Sequence, residues 1–110
     1  RCGRPMVPNL RCDASFVEDD GWHAAARRYG DFLERHGNSR ILLLELGVGG
    51  NTPAIIKYPF WRLTGENSNA TYAYLNLGEA AAPAQIHSRS ICLNADIGQA
   101  LGELAVALRK

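Results

Sequence analysis

The sequence predicts an α/β fold, half of a doubly wound parallel sheet. Strand-like and helix-like segments alternate along most of the chain, which argues for a parallel sheet with helical crossovers. Ile41-Leu42-Leu43-Leu44 is a short, continuous apolar run, the pattern of a strand covered on both faces. That run leads into the glycine-rich turn of "GVGGNTP" and a new apolar segment, the order strand, turn, helix start. Three such strands make a narrow sheet, hence half a domain.

Residues 1–13 hold two prolines, a glycine and two cysteines without any period and read as loop, with Ser15-Phe16-Val17 a short extended piece. Asp19 and Asp20 then offer caps for an amphipathic helix, along which Trp22, Ala25, Tyr29, Phe32 and Leu33 recur at helical spacing until Gly37 ends it. After the strand at 41–44, Thr52 reads as an N-cap and Pro53 as the first helical residue, where its missing N–H is harmless. Pro59 predicts a kink in that helix, and "ENSN" its end. Tyr72 to Leu77 reads as the second strand and Ser90 to Leu93 as the third, separated by a loop around Gly78 and Pro83. A last amphipathic helix starts at Asn94 or Asp96, with Ile97, Leu101, Leu104, Ala105 and Leu108 on one stripe.

At 110 residues the chain is one small domain at most, burying roughly 60–70% of its unfolded surface. Its 12 basic and 11 acidic residues are well mixed, which argues against nucleic-acid and membrane-surface partners. No apolar run approaches the ~20 residues of a membrane span. Three irregularly spaced cysteines do not form a disulfide framework, so a reducing, cytoplasmic setting is expected. The opening "RCGRPMVPNL" has no initiator methionine, and we expect the chain to be a portion of a longer product.

The glycine turn has two readings. Glycines let a backbone approach a phosphate, and a helix N-terminus adds partial positive charge. A tight turn that needs only positive φ angles would use the same residues. The run is not G-x-G-x-x-G, for the third glycine and the distal acid are both missing. Cys2 is compatible with the last ligand of a zinc ribbon, yet a lone cysteine is by default no ligand. His23, His36 and His87 are scattered with no triad or metal spacing, Cys92 reads as a buried small hydrophobe, and Trp22 and Trp61 as core.

Taken in order, "CGRPMVPNLRCDASFVEDDGW", "LLLELGVGGNTPAIIKYPFW", "ATYAYLNLGEA" and "RSICLNADIG" resemble the C-terminal portion of a sirtuin, the NAD-dependent protein deacylase family. The likeness is closest to the macrodomain-linked class M branch and covers nearly the whole chain. It implies the end of a zinc-ribbon module over 1–14 and the C-terminal half of a Rossmann-like NAD-binding domain over 15–110. Cys2 then corresponds to the last zinc thiolate. Phe16-Val17-Glu18 stands where the family has its Phe-Gly-Glu substrate loop, with Val17 a departure from the glycine. Gly47-Val48-Gly49 matches the Gly-Thr-Ser turn that receives NAD; its two hydroxyls are missing, so contacts there fall to backbone N–H groups, helped by Asn51 and Thr52. Asn76 matches the asparagine that binds the adenosine ribose, with Leu77 beside it, and Asp96 and Ile97 fall near the adenine.

The resemblance implies a deacylase or a protein ADP-ribosyltransferase, with NAD as cofactor and zinc in the complete protein. Its partners would be a protein substrate, such as a lipoyl-carrier protein, and a macrodomain protein. The family's catalytic base and nicotinamide pocket precede the zinc module, so no residue here receives a catalytic role and the chain alone is expected to have no turnover. The alternative from another class is a non-catalytic nucleotide- or phosphate-binding module that associates with a partner chain, or with itself, through an exposed sheet edge.

Overall fold

A computed structural model describes residues 2–110; Arg1 lies outside the described residues. The chain divides into two compact units, residues 1–35 and 36–110.

The first unit is irregular up to a single helix, α1 (Asp20–Arg35). The Asp19 carboxylate accepts a hydrogen bond from the Trp22 N–H at 2.7 Å, the capping expected of that residue. No residue of α1 is buried, and Trp22, expected in a core, is 40% exposed. The extended piece expected at 15–17 is a turn followed by irregular backbone, with no strand.

The second unit carries β1 (Leu42–Leu46), α2 (Lys57–Glu66), β2 (Thr71–Leu75), a 3-10 turn over Ala84–Arg89 that the sequence did not suggest, β3 (Ser90–Leu93) and α3 (Ile97–Leu108). The three strands form one parallel sheet in the order β1-β2-β3. Leu43 is level with Tyr72, and Glu45 and Cys92 flank Tyr74, so these residues share a face. That face packs under α2 and the 3-10 turn, where Leu43, Ala70, Tyr72, Tyr74 and Ile86 form the core, with Phe60, Trp61 and Leu63 against it.

The opposite face corrects the sequence reading of β1. Leu42, Leu44 and Leu46 alternate outward and remain exposed, Leu42 by 60%, so the leucine run is covered on one face and not on two. α3 covers that side incompletely, leaving an apolar groove of about 500 Å³ between Leu44, Leu75, Ile91, Leu93, Leu101 and Leu104. A run of leucines suits either arrangement; β1 is an edge strand of the described sheet, and α3 leaves its second face incompletely covered.

The second helix also begins later than expected. Residues 50–56 are turns, and α2 opens at Lys57 with Ile56 before it and no side-chain cap. Pro59 therefore sits in the first turn, where its missing N–H costs nothing, and no mid-helix kink arises. The Lys57 ammonium is fixed on the buried Glu45 carboxylate, which ties this residue to the sheet end; the looser segment 50–56 accommodates that anchor. Nucleating an isolated helical turn at Thr52-Pro53 brings little stability by comparison. Asp96 does cap α3, accepting from the Gln99 N–H at 2.9 Å.

Candidate functional site at the carboxyl ends of the strands

All three strands point the same way, so the residues following them gather at one end of the sheet. The Gly47 N–H donates to the Leu75 carbonyl at 2.8 Å, and the Asn76 N–H to the Leu93 carbonyl at 3.1 Å, which carries the pairing one step beyond each strand. Gly47 has φ of +68°, and a Cβ built there would lie 3.1 Å from the Ile97 Cδ1. Glycine suits the left-handed backbone here, and a side chain at this position would press on the tip of Ile97. Gly47, Asn76 and Ile97, with the α3 cap Asp96, thus lie at the same end of the sheet.

Three loops complete this end. The Asn76 amide donates to the Glu79 carbonyl at 2.9 Å, while its Oδ1 has no donor among the described residues. The Gly78 N–H donates to Asn94 Oδ1 at 2.7 Å, tying the loop after β2 to the loop after β3. Leu77 is exposed beside them. Asn51 and Thr52 are exposed in the turns before α2. No helix starts at Thr52, so the helix-terminus contribution to phosphate binding expected at this turn is absent, and an anion would depend on the turn's own N–H groups. A cleft of about 490 Å³ runs from Gly50 and Pro53 past Lys57, Trp61 and Tyr74 to Glu79.

The residues the sequence reading missed lie directly under this turn. Glu45 is 1% exposed and Lys57 5%, and they form a buried ion pair. The Tyr72 hydroxyl donates to the other carboxylate oxygen of Glu45 at 2.8 Å. The Lys57 ammonium also lies 3.5 Å from the centre of the Tyr74 ring, a cation–π contact, and the Tyr74 hydroxyl donates to the Val48 carbonyl at 2.7 Å. One signal was present in the sequence: Glu45 interrupts "LLLEL", and an acid inside a buried strand requires a partner.

This network makes the unit sensitive to alkali. Burial first, and then the hydrogen bond to Glu45, push the Tyr72 phenol well above the usual tyrosine value of 10.0. The folded chain keeps a proton that the unfolded chain releases. The contribution is fully present below the unfolded value and is lost as the pH rises through the folded one. We predict that tyrosinate absorbance shows one tyrosine ionising only together with unfolding. Free ionisation of every tyrosine in the folded protein would refute this.

In the first unit, Phe16, Val17 and Glu18 form a tied loop. The Asn9 side-chain amide accepts from the Val17 N–H and donates to the Val17 carbonyl, both at 2.9 Å. Arg11 pairs with Glu18 at 3.1 Å and stacks 4.1 Å from the centre of the Phe16 ring. Both backbone groups of Val17 are thus already paired. Cys2 is exposed, and among the described residues no group of three or more His, Cys, Asp or Glu is placed to hold a metal ion. A zinc site at Cys2 would need ligands from elsewhere. Among the described residues, no helix is long and apolar enough to cross a membrane.

The fold is that of an open parallel α/β protein, the class in which small molecules bind beyond the carboxyl ends of the strands. No family model matches the chain. Over 98 residues, 88% of its length, it is 41% identical to the "Protein ADP-ribosyltransferase" of Staphylococcus aureus (strain Mu50 / ATCC 700699), and is homologous to that segment. The match covers 31% of the relative, so the chain spans about a third of that protein's length.

Proposed function

We propose that this chain supplies the adenosine side of the NAD site of a sirtuin-type enzyme that transfers ADP-ribose to a protein. The similarity to the staphylococcal ADP-ribosyltransferase is the observation that carries the reading. The meeting of Gly47, Asn76, Asp96 and Ile97 at one end of the sheet supports it. In this reading the exposed turn N–H groups face the diphosphate, Asn76 Oδ1 accepts from the adenosine ribose, and the start of α3 borders the adenine. NAD supplies the ADP-ribosyl group; the residues of this chain bind and orient its adenosine end. Deacylation is the family's other outcome.

The resemblance points to a lipoyl-carrier protein as substrate and to a macrodomain protein as partner. Zinc belongs to this proposal through Cys2, and peptide binding through Phe16 to Glu18. β1 is an edge strand of the described sheet, which leaves open the association through a sheet edge that the alternative reading holds, and its outward leucines are exposed beside that edge.

Titration calorimetry of the full chain tests the proposal. ADP-ribose and NAD are expected to bind with similar affinity, because both carry the adenosine diphosphate. Asn76→Ala is expected to weaken ADP-ribose about fivefold, the value of one hydrogen bond of about 1 kcal/mol. A folded sample that binds neither nucleotide would sink the reading.

A further inference from the structure

We infer that Tyr74 is a positioning residue for the glycine turn: its hydroxyl sets the direction of the Val48–Gly49 peptide, and the buried Glu45–Lys57 pair holds its ring in place. The inference rests on the nucleotide-binding reading for what the turn receives, and on the geometry alone for how the turn is held.

Tyr74 is 2% exposed, so the Val48 carbonyl that accepts from its hydroxyl points into the protein. The described chain has no cis peptide, and in a trans peptide the N–H lies opposite the carbonyl. The Gly49 N–H therefore points away from Tyr74, on the exposed side of the turn, and among the described residues it has no acceptor. An anion arriving at the turn meets this donor. Were the peptide to rotate by about half a turn, it would meet the Val48 carbonyl oxygen instead, which repels phosphate.

Glycine is what makes that rotation accessible. Gly49 now has no positive φ, and reversing the peptide before it would carry it into that region. That region is costly for a residue with a Cβ and close to free for glycine. The glycine that opens the turn to a ligand thus leaves two peptide directions near in energy, and the Tyr74 hydroxyl selects between them. Its ring in turn cannot swing. The Lys57 ammonium lies 3.5 Å from its centre and is itself paired with Glu45, whose second oxygen is held by Tyr72. The chain of contacts runs unbroken from the interior of the sheet to the exposed turn.

The test compares the full chain with Tyr74→Phe and with Tyr74→Phe/Gly49→Ala, by backbone resonances without ligand and by ADP-ribose affinity. Tyr74→Phe keeps the ring on Lys57 and removes only the hydroxyl. It is expected to split or broaden the Val48, Gly49 and Gly50 resonances while leaving those of β2 in place, and to weaken ADP-ribose about fivefold. Adding Gly49→Ala, whose Cβ meets nothing within 4 Å, is expected to restore a single set of turn resonances, because alanine resists the positive φ. A tyrosine that merely filled space would give no such rescue. Turn resonances unchanged in Tyr74→Phe would overturn the inference, as would split resonances with unchanged affinity in a wild type that binds. If the wild type binds no ADP-ribose, the proposed function falls, and the resonances and their rescue alone decide the positioning role.

Discussion

Replacing Lys57 with methionine is expected to cost about 3–5 kcal/mol of folding stability, the loss typical of breaking a buried ion pair. The methionine fills much of the lysine's volume, so packing is not what fails. Glu45 would remain almost wholly buried with its charge uncompensated, while only Tyr72 still donates to it. Adding Glu45→Leu and Tyr72→Phe removes both the stranded charge and the stranded hydroxyl. This triple variant is expected to recover to within about 1–2 kcal/mol of the wild type, since apolar replacement of a whole buried ion pair is often neutral. Urea unfolding followed by tryptophan fluorescence reads both arms. A single variant costing under ~1 kcal/mol, typical of exposed pairs, would show that water reaches the pair.

Arg89→Met is also expected to be strongly damaging, at about 3 kcal/mol. One guanidinium nitrogen of Arg89 donates to three carbonyls: Thr64 at 2.6 Å, Asn67 at 2.8 Å and Ala70 at 3.2 Å. These belong to the last turn of α2 and the loop into β2, where helix carbonyls lack intrahelical partners and partial negative charge collects. Arg89→Lys is expected to recover only part of the loss, because the shorter, flexible lysine stem does not place its ammonium where the Arg89 nitrogen meets the three carbonyls. Thermal unfolding of the three proteins checks this. Full recovery by lysine would mean that charge alone matters at this position.

The parts of the fold legible in the sequence were those set by short-range chemistry. Asp19 and Asp96 cap the helices they were expected to cap, and Ser90 to Leu93 is β3 as read. Alternation of strands and helices gave a parallel sheet, which brings Gly47, Asn76 and Asp96 to one end. What failed depended on partners distant along the chain. Thr52-Pro53 has the chemistry of a helix start, yet Lys57 is held by Glu45, twelve residues back, and the helix begins there. The leucines of β1 could not announce that only one of their faces is covered. Tyr74 looked like any aromatic strand residue, since its acceptor, Val48, lies 26 residues away.

The order of the strands also bears on how the chain can be made. Leu42 pairs with Thr71 and Tyr72 with Ser90, so β1 waits 29 residues for its neighbour while β2 waits only 18 for the other side. Parallel pairing across such separations is slow, because the loops must close before any contact repays them. During synthesis β1 leaves the ribosome before β2, as a short leucine-rich segment, and the edge that β2 will pair stays open until β2 follows. That interval is when the chain is most open to pairing with the wrong strand. The single acid within the segment, Glu45, interrupts its apolar run during that interval, and in the folded sheet it is paired with Lys57.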